Sequence, residues 1–136
     1  MIGVLVSGEG TNLQALIDAS LPIAAVASNS TKAKALDRAV VAGIEAGAFP
    51  ETEFESREAR DTAMADFLEE RGVELVVCAG YMRLLTTPFL ERFSGRIVNT
   101  HSAPLPEFPG KSPIEDVLAA GVAETAATVH YVDDGV

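Results

Sequence analysis

Ile2-Gly3-Val4-Leu5-Val6-Ser7-Gly8-Glu9-Gly10-Thr11-Asn12-Leu13-Gln14-Ala15-Leu16-Ile17 is the stretch that decides the fold class. Its first five residues form a short apolar run, the pattern of a strand buried on both faces. A glycine-rich loop, Ser7-Gly8-Glu9-Gly10-Thr11-Asn12, follows at once. Residues 13–19 then read as a helix with Leu13, Leu16 and Ile17 on one face. A buried strand, a tight loop and an amphipathic helix make the opening of a βαβ unit.

The alternation continues outward. Residues 23–27 read as a second strand and residues 33–42 as a helix, with Gly43 as its stop. A weaker strand covers residues 44–48. Ser56 is placed to cap a helix over residues 57–71, with Ala63, Met64, Phe67 and Leu68 inward and Gly72 at its end. Residues 75–79, Leu-Val-Val-Cys-Ala, form a strong buried strand. A short helix follows Pro88. Residues 96–100 and 125–132 read as further strands, with a helix over 113–120 between them. The pattern predicts an α/β, Rossmann-like three-layer sandwich, a mostly parallel sheet with helices on both faces. Ligands in such sheets sit beyond the carboxyl ends of the strands. Functional residues are therefore expected after strands one, four, five and six.

Composition narrows the function. The chain has 136 residues, 48% hydrophobic and 22% charged, which suits a single domain over 1–136. Its net charge is −10 and its pI about 4.5, so no nucleic-acid partner is expected. An anionic small molecule stays open, because a few backbone N–H groups can hold a phosphate locally. No run approaches the ~20 apolar residues of a membrane helix, and the N-terminus lacks a signal-peptide pattern. The one cysteine, Cys78, lies in an apolar run and reads as a core residue in a reducing, cytoplasmic setting. At the far end, Asp133-Asp134-Gly135 makes a turn and Val136 begins a new apolar segment. The sequence therefore reads as cut, with a C-terminal part missing.

Three segments carry chemistry. Glycines let the first loop approach a ligand, and the following helix offers free N–H groups to a phosphate. The loop matches neither the dinucleotide fingerprint nor the P-loop. It also fits a plain turn with Thr11 or Asn12 as N-cap. Asn99 and His101 stand two apart at a strand end, so alternation puts both on one face. A carboxamide can donate to an oxygen that becomes negative, and an imidazole can carry a proton near neutral pH. The alternative is a capped strand end with a surface histidine. A proline-rich segment, Pro104-Leu105-Pro106-Glu107-Phe108-Pro109-Gly110, follows as a stiff pocket wall. Gly80-Tyr81-Met82-Arg83-Leu84-Leu85 mixes a thioether, a ring and a guanidinium, which suits a flat heteroaromatic ligand bearing carboxylates or, equally, a surface loop. His130 reads as structural. No metal-ligand spacing is present, and no metal is expected.

Taken in order, these segments resemble the glycinamide ribonucleotide (phosphoribosylglycinamide) formyltransferase family. The likeness rests on Ser7-Gly8-x-Gly10-Thr11-Asn12-Leu13-Gln14, Ser28-Asn29, Ser56-Arg57-Glu58, Ala79-Gly80-Tyr81-Met82-Arg83, Asn99-x-His101, Leu105-Pro106-x-Phe108-Pro109-Gly110 and Thr128-Val129-His130-Tyr131-Val132. The resemblance implies formyl transfer from the co-substrate 10-formyltetrahydrofolate to the amine of 5-phosphoribosylglycinamide, in purine synthesis. It implies that Gly10, Thr11 and Asn12 hold the substrate phosphate. Arg57, Met82, Arg83, Leu84, Leu85 and Asn99 would hold the folate. Asn99 would contact the formyl oxygen and His101 would act as the catalytic acid. The family's catalytic aspartate would be the residue after Val136, so neither Asp133 nor Asp134 takes its place. Relatives usually read Asn-x-His-Pro-Ser-Leu-Leu-Pro where this chain has Ser102 and Pro104, a change in the wall beside the formyl group. A formyltetrahydrofolate hydrolase, a methionyl-tRNA formyltransferase and a non-catalytic folate- or nucleotide-binding fragment are the alternatives.

Overall fold

The first strand, β1 (Ile2–Val6), is buried along its whole length, as its apolar run requires. It lies inside a six-stranded sheet of order β3-β2-β1-β4-β5-β6. The other strands are β2 (Ile23–Ser28), β3 (Glu45–Ala48), β4 (Leu75–Ala79), β5 (Ile97–His101) and β6 (Thr128–Tyr131). The computed structural model describes residues 1–101 and 128–131. The expected helix over 113–120, the proline-rich segment 104–110, Ser102, and the turn at Asp133 and Asp134 lie outside them.

Strands β1 to β5 pair in parallel, whereas β6 runs antiparallel to β5. This gives the Rossmann-like α/β sheet that the alternating pattern predicts, with an antiparallel edge of the kind many such sheets carry. The helices divide between its faces. Leu13 and Leu16 of α1 (Thr11–Asp18) and Ala35 and Ala39 of α2 (Lys34–Val41) pack with Ile2, Val4 and Val6 on one side. Met64, Ala65 and Leu68 of α3 (Arg57–Glu70) and Phe89 of α4 (Thr87–Arg92) pack with Leu5, Val76 and Cys78 on the other. Gly3 lets this second layer come close: a Cβ there would lie 2.9 Å from Val73 and 3.0 Å from Leu68.

Helix α3 begins as expected, with the Ser56 hydroxyl accepting from the Ala59 N–H at 3.0 Å. Its inward face differs from the expectation. Met64 and Leu68 are buried, but Ala63 and Phe67 are only half-buried, and Arg60, Asp61 and Ala65 are buried instead. Phe67 turns aside to meet the Phe49 ring edge-on and lies under the Arg71 guanidinium. Helix α1 also starts differently. Gly10 is its N-cap, and neither Thr11 nor Asn12 caps it.

The chain runs from β1 outward to β3, then returns to place β4 on the other side of β1. The order therefore reverses between β1 and β4, and a crevice opens past the carboxyl ends of these strands.

Candidate functional site

Among the described residues, two cavities line that crevice. The first, about 260 Å³, is lined by the loop from Ser7 to Asn12 together with Ala79, Gly80 and Met82. Gly10 makes the loop possible. Its φ of 81° is left-handed, and a Cβ would sit 2.6 Å from the Ala35 Cβ and 2.7 Å from its Cα. Helix α2 holds the loop from behind. The Ala35 N–H donates to the Gly8 carbonyl at 2.9 Å, and Arg38 Nε donates to the Glu9 carbonyl at 2.7 Å. The Glu9 carboxylate lies 3.6 Å from Lys34 Nζ, so the one acidic side chain of the loop is offset by a cation. With the N-terminus of α1 beside it, the cavity offers N–H groups and a partial positive charge to an anion.

The second cavity, about 330 Å³, is lined by Cys78, the run Tyr81 to Leu85, and Asn99. Its volume falls within the range of small-molecule sites, and its wall is apolar with a few polar groups. Met82 and Leu84 are 77% and 69% exposed, large apolar side chains standing open on the loop. Burial pushes the Cys78 thiol up to about 12 and raises the Tyr81 hydroxyl as well. Cys78 is thus a neutral core thiol at physiological pH, as its apolar surroundings predict.

Asn99 is half-buried on β5, its backbone level with Cys78 on one side and His130 on the other. His101 is the last residue of β5, paired in register with Thr128. The fold thus gathers Met82, Arg83, Leu84, Leu85 and Asn99 around one cavity and Gly10, Thr11 and Asn12 around its neighbour, with Met82 lining both. Arg57 stands apart: it is the exposed first residue of α3 and lines neither cavity. Among the described residues no cluster of acidic, histidine or cysteine side chains could hold a metal, and no helix is long and apolar enough to cross a membrane.

The whole chain, residues 1–136, matches the model of the formyl transferase family. It belongs to that family. Phosphoribosylglycinamide formyltransferase of Haemophilus influenzae is 41% identical over 99% of this chain and 66% of its own length. The trifunctional purine biosynthetic protein adenosine-3 of Drosophila pseudoobscura is 41% identical over 99% of the chain, which spans only 10% of that protein. Among solved structures, glycinamide ribonucleotide transformylase 1 from Symbiobacterium toebii superposes with a TM-score of 0.78 at 42% identity. That match covers 99% of this chain and 66% of the other.

One part of this formyl transferase fold escaped the reading of the sequence. Arg60 and Asp61 are both fully buried, with Arg60 Nε donating to Asp61 Oδ1 at 2.7 Å. Asp61 Oδ2 accepts from the Thr86 N–H and hydroxyl, and Thr86 is the N-cap of α4. Among the described residues Arg60 Nη1 and Nη2 are buried without a hydrogen-bond partner. The signal was present: Asp61 lies three, four and seven residues before Met64, Ala65 and Leu68, on the same helical stripe. A charge inside an apolar stripe marks a buried pair.

Proposed function

We propose that this chain carries the substrate-binding and reacting core of a phosphoribosylglycinamide formyltransferase. It would move a formyl group from 10-formyltetrahydrofolate to the amine of 5-phosphoribosylglycinamide, in the cytoplasm, as one domain over 1–136. The carrying observation is the pair of adjoining cavities at the switch point, one walled by a phosphate-type glycine loop and the other by Met82 to Leu85 and Asn99. The names of the relatives at about 40% identity point the same way.

In this reading Gly10, Thr11 and Asn12 hold the ribonucleotide phosphate. The folate head lies against Met82, Arg83, Leu84, Leu85 and Asn99, and Arg57 meets the acidic tail of the folate from the start of α3. The unprotonated substrate amine attacks the formyl carbon. Negative charge collects on the formyl oxygen, where the Asn99 carboxamide and a protonated His101 donate to it. The bond from the formyl carbon to the folate nitrogen then breaks. The proton lost by the attacking amine ends on that nitrogen. The chemistry calls for no metal and no covalent enzyme intermediate.

The test is consumption of 10-formyltetrahydrofolate by the full native protein, with and without 5-phosphoribosylglycinamide. Turnover that requires the ribonucleotide is the expected result. Equal turnover in its absence would make the protein a hydrolase, and no turnover by folded protein would reduce it to a binding module.

A further inference from the structure

Ser7 sits between the two cavities. Its hydroxyl donates to Asn29 Oδ1 at 2.6 Å and accepts from the Met82 N–H at 2.7 Å. With the proton committed to Asn29, the oxygen lone pairs are left for Met82, so the two bonds reinforce one geometry. Ser7 itself lines the glycine-loop cavity, and Met82 lines both. Past Met82, residues 82–85 form the wall of the second cavity. The far end of this wall is anchored separately, where Asp61 holds Thr86. The near end has Ser7 as its side-chain tie, 75 residues away in sequence.

We propose that Ser7 is a positioning residue that couples the two cavities, so that filling either one tightens binding in the other. An anion seated in the glycine loop fixes the turn after β1, and with it the Ser7 hydroxyl. The hydroxyl then fixes the Met82 N–H and the register of the exposed apolar wall behind it. A flat ligand against that wall acts on the glycine loop through the same bonds. Linkage makes the effect reciprocal, with one factor in both directions. The inference rests on the proposed function for the identity of the two ligands, but it adds an interaction between sites that neither cavity has alone.

Calorimetric titration of the full native protein tests it. The probes are ribose 5-phosphate, which lacks the acceptor amine, and a 5,8-dideazafolate without a formyl group, so that no reacting atoms meet. Each ligand is expected to tighten the other by the same factor, about fivefold or more. In Ser7→Ala the mutual tightening disappears, whatever the separate affinities become, and Ser7→Thr, which keeps the hydroxyl, restores it. If Ser7→Ala does not fold, Asn29→Ala removes the acceptor that orients the hydroxyl and is expected to weaken the coupling. Independent binding of the two ligands to the native protein overturns the inference and leaves the formyl-transfer reading standing. Coupling that survives in Ser7→Ala overturns it too. If the native protein binds neither probe, both readings fall.

Discussion

Asp61 and Thr86, 25 residues apart, are joined twice: one carboxylate oxygen of Asp61 accepts the Thr86 backbone N–H at 2.8 Å and its hydroxyl at 2.7 Å. The other oxygen takes Arg60 Nε, so a buried charge is met on both sides. Removing Asp61 strands the Arg60 guanidinium in the core. Asp61→Ala is therefore expected to cost about 3–5 kcal/mol in urea unfolding. Arg60→Met should cost clearly less, because two of the Arg60 nitrogens lack partners among the described residues and Asp61 keeps both bonds from Thr86. Equal losses for the two variants would contradict this account of the pair.

Gly10 faces two separate obstacles to substitution. A side chain at its left-handed φ costs about 1–2 kcal/mol. A Cβ would also press on the Cα and Cβ of Ala35, on a helix tied to this loop by the Ala35 N–H. Gly10→Ala should therefore destabilise the fold by more than the conformational term alone. If the glycine loop holds the ribonucleotide and the second cavity the folate, as proposed, it should raise KM for the ribonucleotide more than KM for the folate, since the second cavity does not include Gly10. Steady-state kinetics with each substrate varied in turn would show the asymmetry; equal increases would mean that the loop serves both ligands.

What was legible in the sequence depended on how local its cause was. Apolar runs such as Val4-Leu5-Val6 and Val76-Val77-Cys78 dictate buried parallel strands by themselves, and the order of strands and helices then fixes where the crevice lies. Ser56 could be read as a cap because its partner, the Ala59 N–H, is three residues away. Ser7 and Thr86 could not be read, since their partners arrive from 22 to 75 residues off, once the sheet is assembled, whereas the burial of Asp61 was marked by its place on the apolar stripe of α3 and only its bond to Thr86 was not. Thr11 and Asn12 are favoured N-caps by residue type, yet the left-handed turn at Gly10 starts the helix at Thr11, one residue before a Thr11 cap would and two before an Asn12 cap would.

Cys78 supplies a pH signature. Its thiol is pushed from 9.0 up to about 12 by burial, so folding favours the protonated form. Below about pH 9 the folded and unfolded chains both keep the proton, and this contribution is present in full. Between about pH 9 and 12 only the unfolded thiol ionises, so stability falls as pH rises, by at most about 1.4 kcal/mol per pH unit. Cys78→Ala should remove that part of the alkaline slope, as read from urea midpoints taken across the window. Iodoacetamide should modify native Cys78 far more slowly at pH 8 than the unfolded chain. An unchanged slope in the variant would assign the alkaline loss to other groups, the raised Tyr81 hydroxyl first among them.

At Asn99 the proposed catalytic role can be tested apart from architecture. Its backbone holds β5 between β4 and β6, while its side chain borders the second cavity. Replacing it by alanine leaves the ladder bonds intact, so the unfolding midpoint should move little. If its carboxamide donates to the formyl oxygen as charge develops, Asn99→Ala should lower kcat roughly 10²–10³-fold. KM for the folate should change much less, because a contact made mainly in the transition state contributes little to ground-state binding. A large rise in KM with kcat preserved would instead make Asn99 a folate-binding residue, and the burden of stabilising the oxyanion would pass to His101.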